Sequence, residues 1–315
     1  MRRVVGQLSL ADGLVSGRNG SLDRIAALVD WGALEAVLGH VHAAPVGRPG
    51  YGPGVLTRCV LLQQWYGLSD PGLEEALADR LSFRRFVGLS LSDTVPDHST
   101  LSRFRKSLVT LGLSESILAE INRQLEARGL ILKQGTLVDA SLIEADARRP
   151  RKGEPKETRS DPDAAWNAMP EDGPLFGYKA HVAVDEGSGL VRQAILTPAN
   201  VSDKTPAPRL IQGDERAFYA DKGYDGWWLS ARLAERGIED RVMRANYVRR
   251  RLTPDQLARN REIRPVRAAV ERVFAVMKQW YGYRRVRYRS LLRNSLQLQL
   301  LCAAMNLRRA LVLGA

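Results

Sequence analysis

Over residues 1–130 apolar positions recur three and four apart in short runs, the spacing of helices that each bury one face. Ser21 to Gly39 (SLDRIAALVDWGALEAVLG) predicts a first helix with Ser21 as its cap. Beyond the loop AAPVGRPGYGPG, the segment VLTRCVLLQQWYGL is apolar almost throughout, as expected of a central helix. Asp70-Pro71 opens a third, with Asp as cap, Pro at the first position, and Glu74 and Glu75 in the first turn, where the helix dipole favours acids. Ser82 to Gly88 is a short fourth. Pro96 to Leu108 (PDHSTLSRFRKSL) follows, capped by Asp97 or Ser99, and the amphipathic run Ser114 to Gly129 closes a compact all-helical domain.

The period then changes. Gly135 to Ser141 (GTLVDAS) is an apolar, β-favouring run, and after a polar, unpatterned stretch from Ala147 to Pro174 come GYKAHVAVDE and LVRQAILTPAN, joined by Gly187-Ser188-Gly189 as a hairpin. A short helix from Asp203 to Gln212, a strand RAFYADKGY and a helix GWWLSARLAERG complete a mixed sheet with its helices. Val270, Phe274 and Met277 recur at helical spacing within Val266 to Gln279, which predicts an amphipathic helix beginning near Pro265. The expected fold is α+β, with residues 1–130 helical and residues 131–315 mixed.

Charge narrows the function. Lys and Arg outnumber Asp and Glu 47 to 35, for a net charge of +12. Between Arg241 and Arg293 sixteen cations face three acids, Asp255, Glu262 and Glu271, so this segment alone exceeds the charge of the whole chain. Such a concentrated field favours a polyanion, nucleic acid before an anionic membrane. With no run of eighteen apolar residues and no signal-peptide core, the expectation is a cytoplasmic, nucleoid-associated protein without a membrane partner. Cys59 and Cys302 are expected as reduced core residues, and His40 and His42 as surface or packing residues.

The candidate chemistry follows from three carboxylates. Asp139 and Asp221 each come after apolar strand residues, where a buried carboxylate is costly unless it pairs, reaches water or holds a cation. Taken singly, either reads equally well as a turn-forming Asp. Glu271 shares one side of its helix with Arg267 and Lys278, which by itself describes an ordinary solvated face. Together the three make a set that a sheet and a covering helix can converge, suited to Mg²⁺ or Mn²⁺. Two such ions about 4 Å apart serve both ends of a phosphodiester displacement. In the first domain, Arg103, Arg105 and Lys106 on Pro96–Leu108 have the layout of a helix-turn-helix reading helix, against the alternative of a basic solvated helix. Arg284 and Arg285 are expected to continue the basic face of the Glu271 helix.

The strings GTLVDAS, FGYKAHVAVD, PANVSD, ADKGYDG and the R-x3-E-x6-K of Arg267, Glu271 and Lys278 resemble those of bacterial insertion-sequence transposases with a DDE triad, of the insertion-sequence-5 family and its insertion-sequence-4 relatives. GRPGYGPGVLTRCVLLQQWYGLSDPGLEEALADRLSFRRFVGL and PDHSTLSRFR resemble the N-terminal helical domain of the same family. The resemblance implies a helical DNA-binding domain followed by a ribonuclease-H-like catalytic domain. It assigns Asp139, Asp221 and Glu271 as metal ligands for two Mg²⁺ or Mn²⁺ ions, and Arg267 and Lys278 as helpers near DNA phosphates. It further implies that Lys179, His181, Asp203, Tyr224 and Asp225 stand behind the ligands or face DNA, with packing as the alternative. The related signature often carries Tyr where this chain has Arg264, so no role of that tyrosine transfers.

The expected function is a transposase acting as a homodimer on double-stranded DNA. It would bind terminal inverted repeats, cut at the element ends and join the freed 3′-hydroxyls to target DNA. A non-catalytic repressor derived from a transposase and a metal-dependent nuclease without strand joining are the alternatives.

Overall fold

The computed structural model describes residues 4–7, 19–41, 50–151, 153–167, 173–246 and 251–314. His42 and most of the Pro/Gly-rich loop after it lie outside the described residues. The chain forms two compact units, Met1–Arg128 with Gln299–Ala315, and Gly129–Leu298.

The named elements of the first unit are helices: α1 (Gly20–Leu28), α2 (Trp31–Val37), α3 (Pro53–Tyr66), α4 (Asp70–Asp79), α5 (Leu81–Val87), α6 (His98–Thr110) and α7 (Ser116–Ala127). The single helix expected from Ser21 to Gly39 is two. Asp30, in extended conformation, accepts from the Ala33 amide and caps a fresh start. Likewise Ser69, not Asp70, caps α4, while Asp97 caps α6 by accepting from the Thr100 amide. The apolar α3 is central as expected, with Leu56, Cys59, Val60, Leu61 and Leu62 fully buried, and it stops where Gly67 turns left-handed at φ +64. Cys59 and Cys302 are free and buried, and burial pushes the Cys59 thiol up to about 12.

The residues after 298 were expected with the second domain, yet those of α11 (Leu291–Leu313) from Gln299 onward belong to this helical unit. They carry apolar side chains all round, and Leu300, Leu301, Cys302, Ala303, Ala304, Leu307 and Ala310 are buried. Polar bonds fix the register: Trp65 Nε1 donates to the Ala304 carbonyl at 2.9 Å and Asn306 Nδ2 to Asn122 Oδ1 at 2.7 Å.

The second unit is built on a six-stranded mixed sheet of β1 (Thr136–Glu144), β2 (Ala165–Trp166), β3 (Phe176–Asp185), β4 (Val191–Pro198), β5 (Ala217–Ala220) and β6 (Glu239–Val242), in the order β2-β3-β1-β5-β6 with β4 also on β3. β1 runs antiparallel to β3 and parallel to β5, and β5 parallel to β6. The short strands β2 and β6 were not read from the sequence. β1 continues past Ser141 because β3 pairs with it as far as Glu144 opposite Gly177. At Gly177 a Cβ would stand 2.2 Å from the Ile143 carbonyl oxygen, so only glycine lets the two backbones meet there. The core on one side of the sheet joins Val138, Ala183, Phe218 and Ala220 to Leu229 and Leu233 of α9 (Trp227–Glu235) and to Leu210 of the short helix α8 (Ala207–Leu210).

The long helix α10 (Pro254–Gln279) packs against β1 and β5. It begins eleven residues before the expected Pro265, because Thr253 and Gln256 form a reciprocal capping box with Pro254 at the first turn. Pro265 lies inside it on the exposed side. The helix ends at Gln279, and Gly282 at φ +65 turns the chain away. Arg284 and Arg285 are therefore not on the helix, contrary to expectation. They run beside the end of β1, where the Glu144 amide donates to the Arg284 carbonyl at 2.9 Å and the Val286 amide to the Glu144 carbonyl at 2.9 Å.

Candidate active site

Parallel pairing of Leu137 with Tyr219 fixes where the first two carboxylates stand. Two residues further along each strand are Asp139 and Asp221, on the same face as that pair and about one strand spacing apart, ~4.8 Å between backbones. β1 continues beyond Asp139, so this aspartate is within its strand and not at the end as expected. It is β5 that stops, at Ala220, and Asp221 caps the 3₁₀ turn Lys222–Tyr224 by accepting from the Gly223 amide at 2.9 Å.

Neither charge is well compensated. Burial pushes the Asp139 carboxyl up to about 6, against the downward pull of Arg267 and of the Ala140 amide, and the negative charge of Asp221 adds to the rise. Burial likewise raises Asp221 over the opposing effects of the Gly223 amide and Arg267, with Asp203 contributing to the rise. Two neighbouring carboxyls both displaced upward mark a site prepared for chemistry more often than one built for stability.

Arg267, from α10, reaches into this pair. Its Nη1 donates to Asp139 Oδ2 at 3.0 Å and its Nη2 to Glu271 Oε1 at 2.7 Å. Glu271 itself is exposed, one turn further along the helix. Thus Asp139 and Asp221 are brought together, whereas Glu271 faces the other edge of the guanidinium. Among the described residues no group of three or more His, Cys, Asp or Glu side chains is placed to hold a metal ion.

Behind the pair, Tyr224 is fully buried and burial holds its hydroxyl well above the ordinary range, with Asp203, Asp139 and Asp221 all adding to the rise. Lys179 Nζ makes an ion pair with Asp203 Oδ1 at 2.8 Å. His181 is buried and neutral, lowered to about 4 by burial. The Thr197 hydroxyl donates to the Pro198 carbonyl, so His181 Nε2, at 2.9 Å from that hydroxyl oxygen, is assigned as the protonated nitrogen. Its Nδ1 then presents a lone pair 3.8 Å from Asp203 Oδ1. His181 Nδ1, Tyr224 Oη and Arg267 Nε are all buried without a hydrogen-bond partner among the described residues. Such a concentration of unmet polar atoms around hard oxygen donors fits a hydrated divalent cation held by Asp139 and Asp221.

Other expected site residues lie elsewhere. Asp225 accepts from Arg244 Nη1 and from the Ala245 amide, each at 2.9 Å, and so belongs to a separate ion network. Arg244 also meets Asp240 at 2.7 Å, and Arg259 meets Asp240 at 3.3 Å. Lys278 is half-buried on α10, seven residues beyond Glu271. Arg284 is exposed, and Arg285 pairs with Glu144 at 3.0 Å. On α6, Arg103 and Lys106 are exposed, but Arg105 is buried, ion-paired with Asp70 and bonded to Gln63 Oε1 at 3.0 Å. Arg105 is therefore a strut between α6 and the start of α4 and not a DNA contact. Sequence reading missed Asp240 and its two arginines because it missed β6, whose only signal was the apolar residues Ile238 and Val242 flanking a charged stretch.

Residues 131–307 match the family model described as the transposase DDE domain. The chain belongs to that family. Residues 10–107 match a second model, transposase domain (DUF772), so this DDE transposase carries two family segments in order. A cryo-EM structure of the piggyBac transposase synaptic complex with hairpin DNA is similar at 10% identity and a TM-score of 0.44, over 91% of this chain and 72% of that one. That likeness is too distant to bear on the residues of the site. No described helix is long and apolar enough to cross a membrane.

Proposed function

We propose that this DDE transposase, of the insertion-sequence-5 group, binds the terminal inverted repeats of its element, cuts at the ends and transfers the 3′-hydroxyl strands to target DNA. The observation that carries the reading is the half-buried, register-matched pair Asp139 and Asp221 with both carboxyls displaced upward and Glu271 on the helix that covers them. These three side chains are the proposed metal ligands. Two Mg²⁺ or Mn²⁺ ions bound there supply activation of the attacking oxygen and stabilisation of the leaving one.

The protein's own groups do the rest. Tyr224 and His181 offer a donor and a lone pair for ordering water around the carboxylates, and the ion pair of Lys179 with Asp203 holds the loop after β4 against that cluster. Lys278 and Arg284 grip phosphate, while Arg103 and Lys106, exposed on α6, read or anchor the repeats. Both ends of an element must be held at once, so a homodimer is the smallest competent assembly.

The test uses a duplex carrying the element's own ends, with Mg²⁺, mapping cuts and strand joining to the nucleotide. Asp139→Asn, Asp221→Asn and Glu271→Gln are each expected to lower cutting at least 100-fold while end binding changes less than about threefold, because an amide oxygen replaces a ligating carboxylate poorly. Any variant that keeps more than a few per cent of wild-type cutting removes that residue from the ligand set. Cutting without joining would make the protein a nuclease, and binding without cutting a repressor.

A further inference from the structure

Arg267 does something that a phosphate contact does not require. One of its bonds, to Glu271, is an ordinary i,i+4 pair along a helix surface. The other reaches off the helix onto the central strand, to Asp139, 128 residues away in sequence. The side chain that makes both is only 16% exposed, and its remaining nitrogen, Nε, is buried with no hydrogen-bond partner among the described residues. A planar fork held this way satisfies two carboxylates from two elements at the same time, the geometry at which guanidinium excels.

We infer that Arg267 is a positioning residue that stands in for the divalent cation: in the metal-free protein its guanidinium occupies the place between Asp139 and Glu271, and metal loading displaces it. This rests on the ligand reading proposed above. Without a cation between them, carboxylates on β1 and α10 would repel and separate, and Arg267 prevents this while the site waits. Asp139 and Glu271 are the carboxylates that would hold the metal, so the two cations would compete for them. The outcome is a site that keeps its shape when empty and binds free metal more weakly than its carboxylates alone would allow. Metal loading releases a guanidinium beside the ligands, where incoming DNA phosphate is its natural acceptor. Loading and DNA binding are thereby coupled through one side chain, each favouring the other.

The experiment is a Mn²⁺ titration of the DNA-free full-length protein, followed by electron paramagnetic resonance of the free ion, on wild type, Arg267→Gln, Arg267→Lys and Asp139→Asn. Because a charge-assisted bond must be broken on loading, Arg267→Gln is expected to bind Mn²⁺ about tenfold or more tightly than wild type. Arg267→Lys, which keeps the charge but cannot fork, is expected in between. Should the Gln variant fail to fold, tighter Mn²⁺ binding by Arg267→Lys than by wild type supports the inference, and equal or weaker binding overturns it. Thermal melts give a second readout: Arg267→Gln melts below wild type in chelator, and the gap narrows as Mn²⁺ saturates. An Arg267→Gln affinity equal to or weaker than wild type, with Asp139→Asn weakened, overturns the stand-in role and leaves the ligand reading intact. Asp139→Asn binding Mn²⁺ as wild type does would overturn the ligand reading itself, and this inference with it.

Discussion

Two ionic clusters sit on neighbouring strands of the same sheet, and they have been resolved in opposite ways. Asp240, at β6, receives Ser230 Oγ, the Val242 amide, Arg244 and Arg259. Burial pushes its carboxyl upward, but those donors outweigh burial and hold it below the ordinary value. Asp139 and Asp221 are half-buried too, yet their donors are outweighed and both carboxyls stand high. The first cluster is satisfied and serves the fold. The second keeps a ring nitrogen, a hydroxyl and a guanidinium nitrogen unmatched among the described residues. The two clusters thus differ in the sign of the displacement, although partial burial and a neighbouring arginine are common to both.

The largest effect is expected from breaking the satisfied cluster. Asp240→Ala takes the shared acceptor from Arg244, Arg259, the Ser230 hydroxyl and the Val242 amide at once, leaving Arg244 with Asp225 and Arg259 with backbone carbonyls, and should lower stability by roughly 3–5 kcal/mol. Urea unfolding measures it, and a loss under about 1 kcal/mol would show that the network is ornamental.

The next effect lies in the pH dependence at Asp139 in chelator. A carboxyl that rises on folding from 3.8 to about 6 binds more protons folded than unfolded across that interval. Its favourable contribution is complete below pH 3.8 and is lost as pH climbs through 6, a change of roughly 3 kcal/mol. Asp139→Asn has no such proton to release. Its stability relative to wild type should therefore improve by about that amount between about pH 3.5 and 7.5. Parallel pH curves for the two would contradict an uncompensated Asp139.

The smallest effect compares two buried tyrosines. Tyr178 donates to Asp161 at 2.7 Å, whereas the Tyr224 hydroxyl has no partner among the described residues. Tyr178→Phe should cost about 1–2 kcal/mol, and Tyr224→Phe nothing, with up to about 1 kcal/mol of gain in the metal-free protein. Equal losses would place Tyr224 with the satisfied cluster.

Much of this was legible in the sequence, for reasons that can be named. The apolar, β-favouring run through Val138 and the polar residues that take over after Ala220 located Asp139 and Asp221, because local hydrophobic pattern is what sets a strand. The apolar row Val270, Phe274 and Met277 likewise gave the face of α10 that meets the sheet. Its start escaped notice because Pro265 reads locally as a beginning, while the capping box at Thr253 and Gln256 was hidden in a polar stretch. Arg105 looked like its neighbours Arg103 and Lys106, since only the packing of α6 on α4 turns one of three adjacent cations inward. The alternatives for Asp225 stayed open for a similar reason: its partner Arg244 follows a strand too short and too charged to be seen.

The packing of residues 299–314 against α3 and α7 also dictates a timetable for the newborn chain. Domains ordinarily fold in the order in which they leave the ribosome, at about 5–20 residues per second. Here the first unit contains Ala304 and Asn306 as partners of Trp65 and Asn122, so its apolar surfaces stay incomplete while the intervening sheet is translated, a wait on the order of 10–30 s at those rates. During that wait the exposed faces of the early helices depend on whatever holdase activity the cell supplies. A truncation just beyond residue 298 would make the wait permanent.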